Sequence, residues 1–254
     1  MTSVFKRKYK QGLVLSGGGA RGFAHLGVLQ CFEEHNICPS IISGVSAGSI
    51  VGAFYSDGYK PLEIFKLFSS QKMYRLMRLT FPRFGVLRVS GLKEILVKNL
   101  RSKRIEDLPI PLVIAVTNYN TGKIEYLSEG NLADAVLASA AIPVLFEVQK
   151  INGNFYFDGG VMDNLPLKPI LGRCKKIIAV HVNPLGKIEK INGPMQVAER
   201  AFHLAIGAEL ENKKQNVDLF IEPPELTEYG LLDVKNSLEM FKIGYKHTSQ
   251  VLGK

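Results

Sequence analysis

The chain has 254 residues, 46% hydrophobic and 22% charged, with a net charge of +9, which is ordinary for a globular protein with a substantial core. No apolar run approaches the roughly 20 residues that cross a bilayer as a helix, which excludes a chain threaded through a membrane by helices. Only Leu13-Val14-Leu15 separates the basic start from the first glycines, too little for a signal-peptide core, so a cytoplasmic protein is expected.

Residues 1–10 read as a basic tail and 11–254 as a single domain, since no linker-like tract or repeat divides them. Gln11 to Ser16 is a short apolar strand. It runs into Gly17-Gly18-Gly19-Ala20-Arg21-Gly22, and Phe23 to Asn36 follows with apolar residues at helical spacing. Cys31, Cys38 and Cys174 are odd in number and lack a metal-ligand spacing, which predicts reduced, buried thiols and neither a disulfide frame nor a zinc site.

Gly17, Gly19 and Gly22 spell a G-x-G-x-x-G, the dinucleotide-binding fingerprint. That fingerprint needs an acidic residue near the end of the second strand to hold a ribose, and Ser43-Gly44-Val45-Ser46 stands there without a carboxylate. No cofactor is therefore expected. Backbone N–H groups at a helix start still stabilise negative charge, on a phosphate or on the oxyanion of an acyl-transfer intermediate.

Pro39-Ser40 leads into Ile41-Ile42-Ser43-Gly44-Val45-Ser46-Ala47-Gly48, a strand, a sharp turn and a helix start. In this G-x-S-x-G, Gly44 and Gly48 remove side chains that would collide with neighbouring backbone, and Ser46 would sit in a strained conformation. The same pattern also serves as plain tight packing. Gly48, Gly52 and Ala53 permit close approach, and Asp57-Gly58 ends the helix. These sixty residues form a βαβα unit, which implies a parallel sheet with both motifs at one sheet edge.

Between Lys60 and Arg104 twelve Lys/Arg face only Glu63 and Glu94, so the excess positive charge is local. Pro61 to Phe68 reads as helix. Residues 72–88 mix large apolar and basic residues without an acid, which suits peripheral contact with an anionic membrane, and equally a helix whose arginines are solvated. No nucleic-acid-binding module accompanies the charge. Leu112 to Asn118 and Lys123 to Leu127 read as strands around Asn120-Thr121-Gly122, and Leu132 to Ala141 as helix. Phe155-Tyr156-Phe157 follows Asn152-Gly153 as a strand and ends at Asp158-Gly159-Gly160, by itself an ordinary turn. Lys176 to Val182 reads as a buried strand, Met195 to Asn216 as a long helix, Val217 to Glu222 as a strand and Leu231 to Leu252 as mainly helix. His25, His35, His181, His203 and His247 are scattered.

The stretch from Ser16 to Leu29, followed by Gly44-Val45-Ser46-Ala47-Gly48, closely resembles the patatin-like phospholipases. Asp158-Gly159-Gly160, continued by Val161 to Pro166, matches that family's third motif, and Ala138 to Pro143 resembles the segment before it. The likeness covers about residues 11–185, leaving 186–254 as a C-terminal α/β extension. It implies a three-layer α/β/α fold with a mostly parallel sheet. It also implies a Ser46–Asp158 dyad with an oxyanion hole at Gly17, Gly18 and Gly19, with Arg21 and Gly22 supporting the loop. The implied substrate is a phospholipid, lysophospholipid or other lipid ester, and neither metal nor cofactor is implied. The alternatives are an α/β-hydrolase triad, for which His181, His203 or His247 stands in the required chain order, and a non-catalytic lipid-binding protein on the same fold. The oligomeric state is not written in these residues.

Overall fold

The first apolar run forms β1 (Tyr9–Leu15), and β2 (Ile41–Gly44) pairs with it in parallel, Gly12 opposite Ile41. The remaining strands are β3 (Leu112–Asn118), β4 (Lys123–Leu127), β5 (Gln149–Ile151), β6 (Asn154–Asp158), β7 (Cys174–Val180) and β8 (Leu219–Ile221). Among the described residues the α-helices of defined bounds are α1 (Phe23–Glu34), α2 (Ala47–Ser56), α3 (Pro61–Phe68), α4 (Ser90–Asn99), α5 (Leu132–Ser139), α6 (Leu210–Lys214) and α7 (Ser237–Val251). This computed structural model describes residues 8–69, 90–143, 146–187, 193, 197, 200–201, 204–205, 207 and 209–253.

The eight strands among the described residues join one sheet, ordered β5-β6-β3-β2-β1-β7-β8, with β4 also paired to β3. The centre is parallel and the β3 side antiparallel. Because successive strand residues point to opposite faces, Leu13 and Leu15 of β1 enter one core and Val14 the other. The first core packs Ile42, Ile114 and Val116 against Leu29 and Phe32 of α1, Phe54 of α2, Val136 of α5 and Met240 of α7. The second packs Ile41, Val113 and Ile177 against Leu165, Leu167 and Ile170, with Leu210 of α6 alongside. Each such fully buried side chain contributes roughly 1.5–3 kcal/mol. The result is a three-layer α/β fold around a mixed, mostly parallel sheet.

One detail of the register positions the site. β2 lies beside β3 as far as the Gly44–Ile114 pair, and β6 lies beside β3 from Asn118 down to the Val116–Asp158 pair. β4 occupies the opposite edge of β3 from Ile114 to Asn118. Strands β2 and β6 therefore approach each other end to end along one edge, and the residues that leave them meet.

The outer helices are held by close crossings. A methyl group on Gly27 would overlap the carbonyl oxygen of Phe241, and one on Gly244 would overlap that of Ala24, so α1 and α7 touch backbone to backbone. Tyr245 Oη donates to Glu34 Oε2 at 2.6 Å across the same seam.

The structure differs from the expectations at both ends, in the middle and at one thiol. Tyr9 and Lys10, assigned to the tail, begin β1, where Tyr9 faces Cys174. The last helix starts at Ser237, not Leu231, because the carbonyl of Leu231 is engaged by the N–H of Ala20. Helix α4 had no counterpart in the expectations. Cys31 and Cys174 are buried, whereas Cys38 is exposed, in the connection before β2, and no disulfide joins them. Segment 72–88 lies outside the described residues, as do residues 195, 196, 198, 199, 202, 203, 206 and 208 of the helix expected over 195–216, of which residues 210–214 are helical. Among the described residues no helix is long and apolar enough to cross a membrane.

Candidate active site

At the end of β2 the chain turns sharply into α2, and Ser46 takes φ 51 and ψ −123 at the turn. A non-glycine residue held there costs of order 1–3 kcal/mol, which the surroundings must over-determine. They do so from both sides. Ser46 N–H donates to Ser139 Oγ at 2.9 Å, and Ser139 Oγ donates to Ala115 O at 2.8 Å, tying the turn to α5 and β3. The carbonyl of Ser46 accepts from Ser49 Oγ at 2.7 Å and from Ser49 N–H at 2.9 Å. The flanking glycines act as expected: a methyl on Gly44 would lie 2.6 Å from Gly48 O, and one on Gly48 would lie 2.6 Å from Ser16 O.

Asp158 leaves β6 at the facing strand end and is hydrogen-bonded to Ser46. Its Oδ1 also accepts from Gly160 N–H at 2.7 Å. Burial drives its carboxyl pKa up from 3.8 to about 6, against the opposing pull of the hydrogen bonds from Ser46 and Gly160. Gly159 passes so close to the carbonyl of Ala115 that no side chain fits there. The following turn is anchored at Asp163, whose Oδ2 accepts from Tyr126 Oη and whose Oδ1 accepts from Lys213 Nζ, both at 2.6 Å.

The glycine loop follows β1 and passes directly beside Ser46: a methyl on Gly17 would lie 3.2 Å from Ser46 Cβ. Gly17 was grouped with the oxyanion donors, but its N–H donates to Asn164 O at 3.2 Å. Its carbonyl accepts from Asn183 Nδ2 at 2.6 Å and from Ser16 Oγ at 2.9 Å. Gly17 thus fixes the loop, and Gly18 and Gly19 follow it with N–H groups that meet no acceptor among the described residues. The N–H of Ala47, directly after Ser46, is in the same condition. Ala47 carries no side-chain signal for such a role, and its place after the serine is the only clue the sequence offers. Gly22 faces Ala47, where a methyl would lie 2.7 Å from Ala47 Cβ, so the loop seats on the start of α2. Arg21 is buried beneath the loop, with Nε donating to Tyr229 O at 2.7 Å.

An apolar cavity of about 150 Å³ opens beside Ser46. Phe23 and Leu26 of α1, Ile50 and Val51 of α2, Phe68 of α3 and Leu231 line it. Phe68 is braced edge-on by Phe54, with ring centroids 5.3 Å apart. A wall of this kind suits a hydrocarbon chain whose carbonyl end lies at the serine.

No histidine among the described residues bonds to Ser46. His25 is buried with Nε2 2.9 Å from Ser16 O, and burial, above the countering hydrogen bond to Ser16, holds its pKa down to about 4. A neutral ring there donates to the carbonyl and braces the glycine loop. His181 Nδ1 pairs with Glu222 Oε1 at 2.7 Å. His203 lies outside the described residues.

The chain is similar in sequence and in fold to known proteins. A family model described as patatin-like phospholipase matches residues 13–171. Lysophospholipase NTE1 of Kluyveromyces lactis is 30% identical over 268 residues, covering 93% of this chain and 19% of that protein. An uncharacterized NTE family protein of Mycobacterium tuberculosis is 34% identical over 176 residues, 67% of this chain and 48% of that one. The chain thus spans from about a fifth to about half the length of these curated relatives. Among solved structures, VipD from Legionella pneumophila shares the fold at a TM-score of 0.64 and 18% identity, over 96% of this chain and 67% of that one.

Proposed function

Because the chain belongs to the patatin-like phospholipase family, we propose that it is a serine acyl hydrolase of phospholipase A or lysophospholipase type that cleaves carboxylic ester bonds of lipids. The observation that carries this reading is the hydrogen bond between Ser46 and the buried Asp158 at the mouth of an apolar cavity. In the first half-reaction Ser46 Oγ attacks the ester carbonyl while Asp158 takes its proton. The tetrahedral oxyanion is met by the N–H groups of Gly18, Gly19 and Ala47. Asp158 then gives the proton to the leaving alcohol, and the acyl group stays on Ser46. In the second half-reaction Asp158 deprotonates a water, which attacks the acyl-enzyme, and then returns that proton to Ser46 Oγ as the fatty acid leaves. A base whose pKa lies near 6 is ionised at neutral pH yet close enough to it to exchange protons readily. Every step is carried by the chain's own groups.

The direct test is labelling with a fluorophosphonate, with Ser46→Ala as control. Covalent labelling of the native chain that is lost in the variant supports the serine mechanism. A native chain that binds lipid but takes no label is a lipid-binding protein on this fold.

Gly18→Ala tests the oxyanion donors. A methyl there would lie 2.5 Å from Val182 Cγ2, so the loop must shift and carry its N–H groups with it. One displaced donor costs about 3 kcal/mol in the transition state, or about a hundredfold in kcat, with KM little changed. A rise in KM alone would instead mean that the loop binds ground-state substrate.

The dyad and triad readings part at the histidines. His181→Asn and His247→Asn, assayed separately on a soluble ester, are both expected to remain active. A folded histidine variant as inactive as Ser46→Ala would overturn the dyad.

A further inference from the structure

Leu231 faces two ways. Its side chain lines the cavity, and its carbonyl oxygen accepts the N–H of Ala20 at 2.7 Å, in the 3-10 turn that continues the glycine loop. The same carbonyl packs so tightly on Gly19 that a methyl there would overlap it, and Gly19 sits at φ 54. Nearby, Tyr229 O accepts from Arg21 Nε at 2.7 Å. The segment 229–234 is thus fastened to the glycine loop through two main-chain carbonyls while Leu231, Leu232 and Val234 present side chains to the cavity. It lies beyond the residues 13–171 matched by the family model.

These apolar side chains are incompletely covered. Leu232 is 58% exposed and Leu231 and Val234 are only partly buried. A hydrocarbon chain in the cavity would add apolar cover to their exposed parts and restrict their motion. Whatever steadies Leu231 steadies its carbonyl, and through that carbonyl Gly19 and Ala20.

We propose that segment 229–234 couples occupancy of the acyl cavity to the glycine loop, so that a chain filling the cavity steadies the oxyanion donors and raises turnover as well as affinity. The proposal rests on the hydrolase reading above. It uses the energy of binding a remote, unreactive part of the substrate to lower the barrier at the reacting carbonyl, and not merely to hold the substrate.

The experiment compares p-nitrophenyl acetate and p-nitrophenyl octanoate on the native chain, Leu231→Ala and Leu231→Met, measuring kcat and KM separately. The native chain is expected to turn over octanoate about tenfold faster than acetate in kcat. Leu231→Ala should bring the two kcat values to within about twofold of each other, and Leu231→Met, which keeps the volume, should retain most of the difference. Because Leu231 is only partly buried, its truncation leaves the core intact, and a melting curve verifies this. The coupling is overturned if the native kcat is blind to chain length, or if Leu231→Ala raises KM for octanoate while preserving the kcat ratio. A native chain inert toward both esters would overturn the hydrolase reading, and the coupling with it.

Discussion

Ser46→Ala is expected to lower ester hydrolysis by roughly 10⁵- to 10⁶-fold while leaving the fold unchanged. Alanine carries the same Cβ into the same backbone conformation, φ 51 and ψ −123, so the turn is no more strained than before. The main-chain hydrogen bond to Ser139 Oγ survives as well. The loss is confined to the nucleophile and to the hydrogen bond it gives Asp158. Since that bond holds the carboxyl pKa down, the carboxyl in the variant should titrate above its native value of about 6. Initial rates on p-nitrophenyl octanoate, together with a melting curve, check the prediction. A folded variant with near-native rates would end the serine mechanism.

Asp158→Asn is expected to lower kcat about 10⁴-fold and, above pH 6, to stabilise the protein. The folded-state pKa of about 6 lies above the ordinary 3.8, with burial as the main cause. The stabilisation from the neutral carboxyl is complete below the unfolded value and is lost as pH rises through 6. At pH 8 the native protein therefore bears a cost of about 3 kcal/mol for a buried charge, which the amide removes. The asparagine oxygen can still accept the N–H of Gly160. Thermal melts at pH 8 should favour the variant, and the advantage should shrink towards pH 4. A variant less stable than native at pH 8 would show that the carboxylate is not held at such a cost. The native rate should fall on the acid side near pH 6, because a protonated Asp158 cannot take the serine proton.

Much of this arrangement was legible in the residues themselves. Strands β3 and β4 and helix α3 fall on the expected residues, and the elements around the two early motifs lie within about two, because local apolar periodicity, Pro61 and the glycines determine them. The meeting of Ser46 and Asp158 was implied by family resemblance, and its physical cause appears only in the register that brings β2 and β6 end to end on β3. Which N–H groups of a glycine run stay open is not a local property. The answer depends on Asn164 and Asn183, far downstream, which occupy the N–H and carbonyl of Gly17. The expectation of helix from Leu231 onward misses for a similar reason: the apolar residues there fit a helical pattern, and only the distant glycine loop decides that Leu231 bonds elsewhere.

The seam between α1 and α7 also bears on how the protein comes into being. Glu34 and Tyr245 are 211 positions apart, Arg21 and Tyr229 are 208 apart, and Gly17 and Asn183 are 166 apart. Closing contacts over such separations delays their formation relative to local helices, because chain entropy is lost before the contacts compensate for it. During synthesis from the N-terminus, the nucleophile turn and the glycine loop leave the ribosome before the carbonyls that brace the loop and the helix that clamps α1. A nascent chain thus carries its reactive serine without the frame around it. The proposed hydrolytic competence would follow only once α7 docks on α1.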